Sequence, residues 1–425
     1  MRRLMIYVIC LCVMCAAGNL YADWTELNSG VTHNLYDCYF LTPQLGFFTG
    51  FENNADPIII GTSTGGYFWT QNVPYPNIAL YSIFFVDSDT GFVVGHDDTN
   101  GFGVIIKTSD SGTQWNNFIW EMGCTTIYDI DFPSYDIGYV SADNGYVFKT
   151  PNTGTTWQPK PLDGYPQVKF IDFVNENSGF VIAEDESKVY KTNDAGDSWD
   201  TICTYDDLNV GGIHFFDENT GIIVGRTLNS YAEVIYRTTD GCSTFIQVFT
   251  GIDNSSLNDV HFCGSRGWAV GDNGRILRTN NGGATWFLET VLDPPVNLHC
   301  VFDTGESIYV GGEQGKVFKK DEYYSVEPEP EEPGQYFTSC PNPFSTSTTL
   351  QFSRTTEYTE STEINIYNVK GQLVRTFRFD ASSLSRFVEV NWDGKDENGN
   401  DVKSGVYFYK LSGDDEHIGK VVKLQ

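Results

Sequence analysis

The phrase Thr-x-x-x-Gly-x-x-Trp returns along this chain at nearly fixed intervals, and that recurrence constrains the fold more than any other feature. It reads Thr62 to Trp69, Thr108 to Trp115, Thr150 to Trp157 and Thr192 to Trp199. An altered copy, with Cys242 in the glycine place and Phe245 at the end, runs from Thr238, and an intact one runs from Thr279 to Trp286. The closing aromatics lie 41 to 46 residues apart, the period of propeller blades. One such unit cannot bury its own apolar face, so the units must stack on one another.

Each repeat opens with an apolar strand ending at Phe40, Phe85, Phe132, Phe173, Phe215, Phe262 or Phe302. A second strand follows, introduced by Gly46, Gly91, Gly138, Gly179, Gly221 and Gly267, and by Ser307 in the last repeat. Short β-branched and aromatic runs bounded by Gly, Asn and Asp are the signature of antiparallel strands. Seven openings meet only six phrases, because the last repeat stops near Lys320 without a closing Trp. Trp24 lies 45 residues before Trp69, in step with the period. The expectation is an all-β, seven-bladed β-propeller over residues 23–320, whose N-terminal segment completes the seventh blade and leaves no free edge.

The phrase has a mechanical reading. Its Thr hydroxyl and the carboxyl or amide two residues on (Asp110, Asn152, Asp194, Asp240, Asn281) can bond nearby backbone amides and fix a turn. The Gly allows positive φ and the Trp plugs between strands. The phrase resembles the Asp-box of sialidase-like propellers. With its Gly-Phe-x-x-Gly second strand, seen at Gly91 to Gly95, the whole repeat resembles the photosystem II assembly and stability factor family. That resemblance implies architecture and says little of activity.

Arg2 and Arg3 lead into an apolar run from Leu4 to Ala17, and a small residue, Ala22, precedes Asp23. This predicts a secretory leader over 1–22 with processing after Ala22. No later stretch is long and apolar enough to cross a bilayer. Seven cysteines follow the leader, scattered and odd in number, which is no disulfide framework. Cys38 and Cys300 are read as buried thiols at the position that Ile83, Ile130, Ile171, Ile213 and Val260 hold elsewhere, with a disulfide between them left open. No metal or cofactor motif is present, and none is expected. The chain carries a net charge of −30, which repels nucleic acid and anionic membranes.

Residues 321–337 are acidic and rich in proline, a linker stiffened by like charges. Residues 338–425 read as a small immunoglobulin-like β-sandwich. Its Asn342-Pro343-Phe344 opening, the run from Ile366 to Val374, Trp392-Asp393-Gly394-Lys395-Asp396 and Ser404 to Tyr409 closely resemble the type A sorting domain of the type IX secretion system. The tail from Lys420 to Leu424 fits as well. That resemblance implies the type IX machinery as a partner and export through the periplasm to the medium or the outer cell surface. Asp393, Asp396 and Asn398 do not have EF-hand spacing and read as a turn.

For a site, six cations hold one repeat position just before the phrase: Lys107, Lys149, Lys191, Arg237, Arg278 and Lys319. They form either a collar for an anionic ligand or a set of pairs with acidic side chains. His214 and His261 hold one position on first strands, and Asp131 and Asp172 hold it in the two preceding repeats. The Asp pair is the best candidate for acid–base catalysis on a glycan, and polar lining of a channel is the plainer reading. A sialidase arginine triad and an Arg-Ile-Pro signature are missing. The sequence therefore points to a non-enzymatic propeller binding an extracellular glycan or protein, with a glycan-active hydrolase as the alternative.

Overall fold

The computed structural model of the chain describes residues 24–424 apart from 53–55, 116, 120–122, 184–186, 206, 253, 322–336, 341–343, 345–346, 354–361, 380–386 and 412–418. The segment expected as a leader, with Ala22, most of the segment expected as a linker, and Asn342-Pro343 lie outside the described residues.

Seven four-stranded antiparallel sheets form the blades of a propeller. The first strands, which line the central channel, are Asn34–Phe40, Ile78–Phe85, Ile127–Asp131, Val168–Phe173, Leu208–Phe215, Leu257–Cys263 and Leu298–Asp303. Blade 7 takes its outer strand from the N-terminus, with Thr25–Leu27 paired antiparallel to Val317–Asp321. Trp24 then meets Trp268 of blade 6 edge to face at 5.9 Å.

The blades are zipped by one repeated contact. In blades 1 to 4 the aromatic after the second-strand glycine stacks on the Phe that ends the next first strand: Phe47 on Phe85 at 4.7 Å, Phe92 on Phe132 at 4.9 Å, Tyr139 on Phe173 at 3.6 Å and Phe180 on Phe215 at 3.8 Å. Tyr309 on Phe40, at 3.8 Å, closes the ring from blade 7 to blade 1. The phrase's Trp caps the same Phe edge-on, as Trp286 does on Phe262 at 5.7 Å. These rings explain the second-strand glycines sterically. A Cβ on Gly91 would lie 2.6 Å from the Phe85 ring, and one on Gly138 would lie 2.3 Å from Phe132.

Blade 7 departs from the expected alignment by one residue. The pairing Asp303↔Ile308 puts Asp303, not Phe302, in the slot of the terminal Phe. No ring covers the following strand there, so Ile308, the partner of Asp303, is tolerated where other blades need glycine, and Ser307 lies one residue before that slot. Asp303 instead accepts the Trp268 indole N–H at 2.9 Å and the Arg266 guanidinium at 2.6 Å. The same shift moves Cys300. It occupies a bulge position, pairing with Gly311, and Val301 takes the isoleucine slot. Cys38 and Cys300 are both buried and both free thiols. Cys263 is disulfide-bonded, and its partner is none of the five free cysteines.

The recurrent phrase works as read. In blade 4 the Thr192 hydroxyl donates to Asp194 at 2.8 Å and accepts Gly196 N–H at 2.9 Å, while Asp194 accepts Ser198 N–H at 2.8 Å. Ala195 and Gly196 both adopt positive φ, 61° and 82°. All of these turns and the first-to-second-strand loops share one side of the disc, hereafter the box face.

The C-terminal domain packs a three-stranded sheet (Phe337–Cys340, Thr348–Ser353, Phe387–Trp392) on a four-stranded one (Thr362–Asn368, Leu373–Phe379, Gly405–Leu411, Gly419–Lys423). Phe344, Ile364, Ile366, Trp392, Tyr409 and Val421 fill its core. Asp396 accepts the amides of Asn398 and Asn400, each at 2.9 Å, so the acidic segment there forms a turn.

Candidate functional site: the central channel and its two mouths

The channel encloses about 590 Å³. Its inner strands present an unpaired edge to the neighbouring blade, and buried amides there need acceptors. Side chains of the preceding blade supply them. Asp37, Asp129 and Asp259, each at a bulge, accept the amides of Ile83 at 2.8 Å, Ile171 at 3.1 Å and Val301 at 2.8 Å. One layer nearer the box face, Asp131 accepts Phe173 N–H at 2.7 Å and Asp172 accepts Phe215 N–H at 2.6 Å. His261 completes that layer by accepting Asp303 N–H at Nδ1, 3.1 Å. The carboxyls expected to line the channel are thus clasps between blades.

Five carboxyls in so small a space cannot all ionise at ordinary pH. Burial, aided by the charge of Asp259, raises Asp37 to about 7. Burial likewise raises Asp129 and Asp259 to about 7 against the pull of their amide partners. Each of these residues keeps some surface toward the channel, but protein surrounds it on every other side. Ser82 approaches Asp37 at 2.8 Å and Asp129 at 3.1 Å. One hydroxyl has one proton to give, so both contacts are satisfied together when one carboxyl carries its own. Asp131 and Asp172 are raised too, first by burial, with the Lys420 charge pulling both down and Asp131 pushing Asp172 up. Burial lowers His214 to about 3 and His261 to about 4, so both are neutral imidazoles.

The mouth away from the box face carries an aromatic arc. His299 stacks on Tyr36 at 5.0 Å, Tyr36 on Phe51 at 4.6 Å, and Tyr81 meets Phe51 at 5.5 Å and Tyr128 at 5.9 Å. Gln167 donates to the Tyr128 hydroxyl at 2.6 Å, and Lys169, Asn209 and Asn258 line the same channel. All five rings are partly exposed. The sequence carried a signal for them: Tyr36, Tyr81, Tyr128 and His299 each follow the buried aliphatic of a first strand (Leu35, Leu80, Ile127, Leu298), and that repeat position was passed over.

Of the six cations read as either a collar or a set of acidic pairs, three reach sideways into the next blade. Lys107 donates to Thr153 O at 2.7 Å, Lys191 to Glu218 O at 3.0 Å and Arg237 to Gly282 O at 3.1 Å. Lys319 pairs with Asp321 at 2.8 Å, Arg278 with Glu289 at 3.7 Å, and Lys149 lies over the Tyr139 ring at 5.5 Å. Lys107, Lys191 and Arg237 thus tie neighbouring blades through backbone carbonyls, whereas Lys319, Arg278 and Lys149 meet partners within their own blades.

The other mouth is covered. The last strand of the C-terminal domain, Gly419–Lys423, lies across the box-face end, and Lys420 and Val422 line the channel there. Among the described residues no group of three or more His, Cys, Asp or Glu side chains is placed to hold a metal ion, and no helix is long and apolar enough to cross a membrane.

This architecture has known counterparts. The family model for the photosynthesis system II assembly factor YCF48 matches residues 120–209, and that for the FlgD Ig-like domain matches 343–416. Among solved structures, YCF48 bound to D1 peptide is similar at a TM-score of 0.58 and 15% identity, covering 71% of this chain and 98% of that one. YCF48 from Cyanidioschyzon merolae is similar at 0.56 and 16% identity, covering 71% and 99%. The GH74 xyloglucanase from Xanthomonas campestris reaches 0.56 at 11% identity, with 78% of this chain covering 59% of that one. No curated protein matches. At these identities the likeness is one of fold: a YCF48-like propeller with an Ig-like domain after it.

Proposed function

We propose that this chain is a non-enzymatic ligand-binding propeller working outside the cell, and that its C-terminal domain is a type A sorting domain read by the type IX secretion machinery. The aromatic arc of His299, Tyr36, Phe51, Tyr81 and Tyr128 carries the binding reading. Partly exposed rings beside amides and a lysine, at the mouth of a cavity, are how proteins hold a ligand that has both apolar faces and hydroxyl or amide groups. An extracellular glycan and an extended protein segment both have that character, and the peptide complex of YCF48 supports the second. Hydrolysis has little to work with. Asp131 and Asp172, its candidate acids, are engaged by the backbone amides of Phe173 and Phe215 and lie beneath Lys420.

The full chain, incubated with a panel of extracellular polysaccharides, is expected to bind at least one without releasing reducing sugar. Tyr81→Ala with Tyr128→Ala should weaken that binding by about tenfold or more, as loss of aromatic anchors does. Release of product would overturn the non-enzymatic reading, and undiminished binding by the double variant would remove the arc from it. For export, a chain ending at residue 337 is expected to stay in the periplasm on cell fractionation, and its normal appearance in the medium would refute the sorting assignment.

A further inference from the structure

The strand that covers the box-face mouth sorts its side chains by parity, as a strand must. Val421 lies in the core of its own domain, and Lys423 donates to Gly394 O and Val402 O there, each at 3.0 Å. The alternate residues face the propeller. Leu424 is buried in the same apolar cluster as Tyr39, Phe40 and Phe302, and Val422 packs against that cluster. Lys420 reaches into the channel and donates to Pro133 O at 2.6 Å. Its charge acts on Asp131 and Asp172, the two carboxyls of the layer below.

The chemistry of this pocket fits an ammonium group. The carbonyl of Pro133 sits at the end of the first strand of blade 3, in the loop before Ile137. Asp131 and Asp172 line the channel with Lys420 and accept the amides of Phe173 and Phe215, and Phe132 N–H also bonds Asp131. Lysine offers a compact charge with three donors on a flexible stem, which suits a narrow opening with converging acceptors better than a planar guanidinium does. A charge this enclosed needs both partners and hydrogen bonds to be tolerated, and here it has them.

We propose that the box-face mouth is a binding site for an extended strand of pattern Lys-x-aliphatic-x-aliphatic, its lysine ammonium seated between Asp131 and Asp172, and that Lys420, Val422 and Leu424 occupy it in cis. The C-terminal domain is then a self-ligand that keeps the channel closed from this side, and a strand of the same pattern on another chain competes for the site once the domain departs. This rests on the ligand-binding reading above and names a second ligand class for the propeller, at the opposite mouth.

The test uses the full chain with a protease site placed in the linker between Pro328 and Glu329. After cleavage under reducing conditions, the C-terminal piece is expected to co-elute with the propeller on gel filtration. Lys420→Glu should release it, with the melting of both pieces unchanged, and so should Asp131→Asn combined with Asp172→Asn. The peptide Gly-Lys-Val-Val-Lys-Leu should displace the wild-type C-terminal piece, and the same peptide with norleucine for its first lysine should do so about tenfold less well, a difference of roughly 1.4 kcal/mol. Separation of the unmodified pieces would overturn the proposal. So would retention that survives Lys420→Glu, or displacement indifferent to norleucine, since either leaves a merely apolar contact. Failure of every polysaccharide to bind at the aromatic arc, with Lys420-dependent retention intact, would sink the glycan reading and leave this one standing.

Discussion

Starting the chain at residue 28 rather than 23 should cost about 2–4 kcal/mol of stability, less than the upper range for truncating a fully buried Trp, because Trp24 is half-buried. The removed segment supplies the fourth strand of blade 7, with Thr25, Glu26 and Leu27 paired to Lys319, Phe318 and Val317. It also brings Trp24 onto Trp268, which is fully buried between blades 6 and 7. Without it, Val317–Asp321 becomes a bare edge, and an exposed strand edge pairs with other chains. The expected result is a lower urea midpoint together with concentration-dependent association. Trp24→Ala alone should account for most of the stability loss and for none of the association, because the strand itself remains. A deletion that changed the midpoint by less than about 1 kcal/mol would mean that the ring holds closed without this strand.

How far the sequence could be read depended on whether a residue's role repeats. The Thr phrase recurs six times, and Trp24 in step with it gave the seventh blade, so blade number and closure were legible. Blade 7 was misaligned by one residue because Phe302 imitates the terminal Phe. Only the strand pairing reveals Asp303 in that slot, with Trp268 and Arg266 as partners. Asp37, Asp129 and Asp259 escaped notice for a related reason. Each sits at a bulge, which breaks the two-residue alternation that separates channel-facing from buried positions. Lys420 was legible only as part of a tail motif, since nothing local says that alternate residues of that strand face another domain.

The channel carboxyls make a second large effect measurable as pH dependence. Asp37, Asp129 and Asp259 titrate near 7 in the fold and near 4 when unfolded. Between those values the folded state holds more protons than the unfolded one, so stability falls as pH rises, and the loss completes as pH passes 7. His214 and His261 act in the opposite sense. Their lowered values mean that stability falls as pH drops below the ordinary imidazole range. Unfolded histidines are still half protonated near pH 6.5, so between pH 6 and pH 8 the two imidazoles offset part of the decline, and the three carboxyls outweigh them. The chain should therefore unfold at a lower urea concentration at pH 8 than at pH 6. Asp259→Asn should flatten that decline, both by removing one titrating group and by relieving Asp37, on which Asp259 is the main charge. Asp259→Ala separates charge from hydrogen bonding. It also flattens the decline, but it strips the acceptors from Val260 and Val301 N–H. Leaving two buried amides unpaired should lower stability by about 2–4 kcal/mol at every pH. If urea midpoints for the unmodified chain instead rose from pH 6 to pH 8, the carboxyls would be ionised in the fold, and the clasps between blades would be ordinary carboxylates.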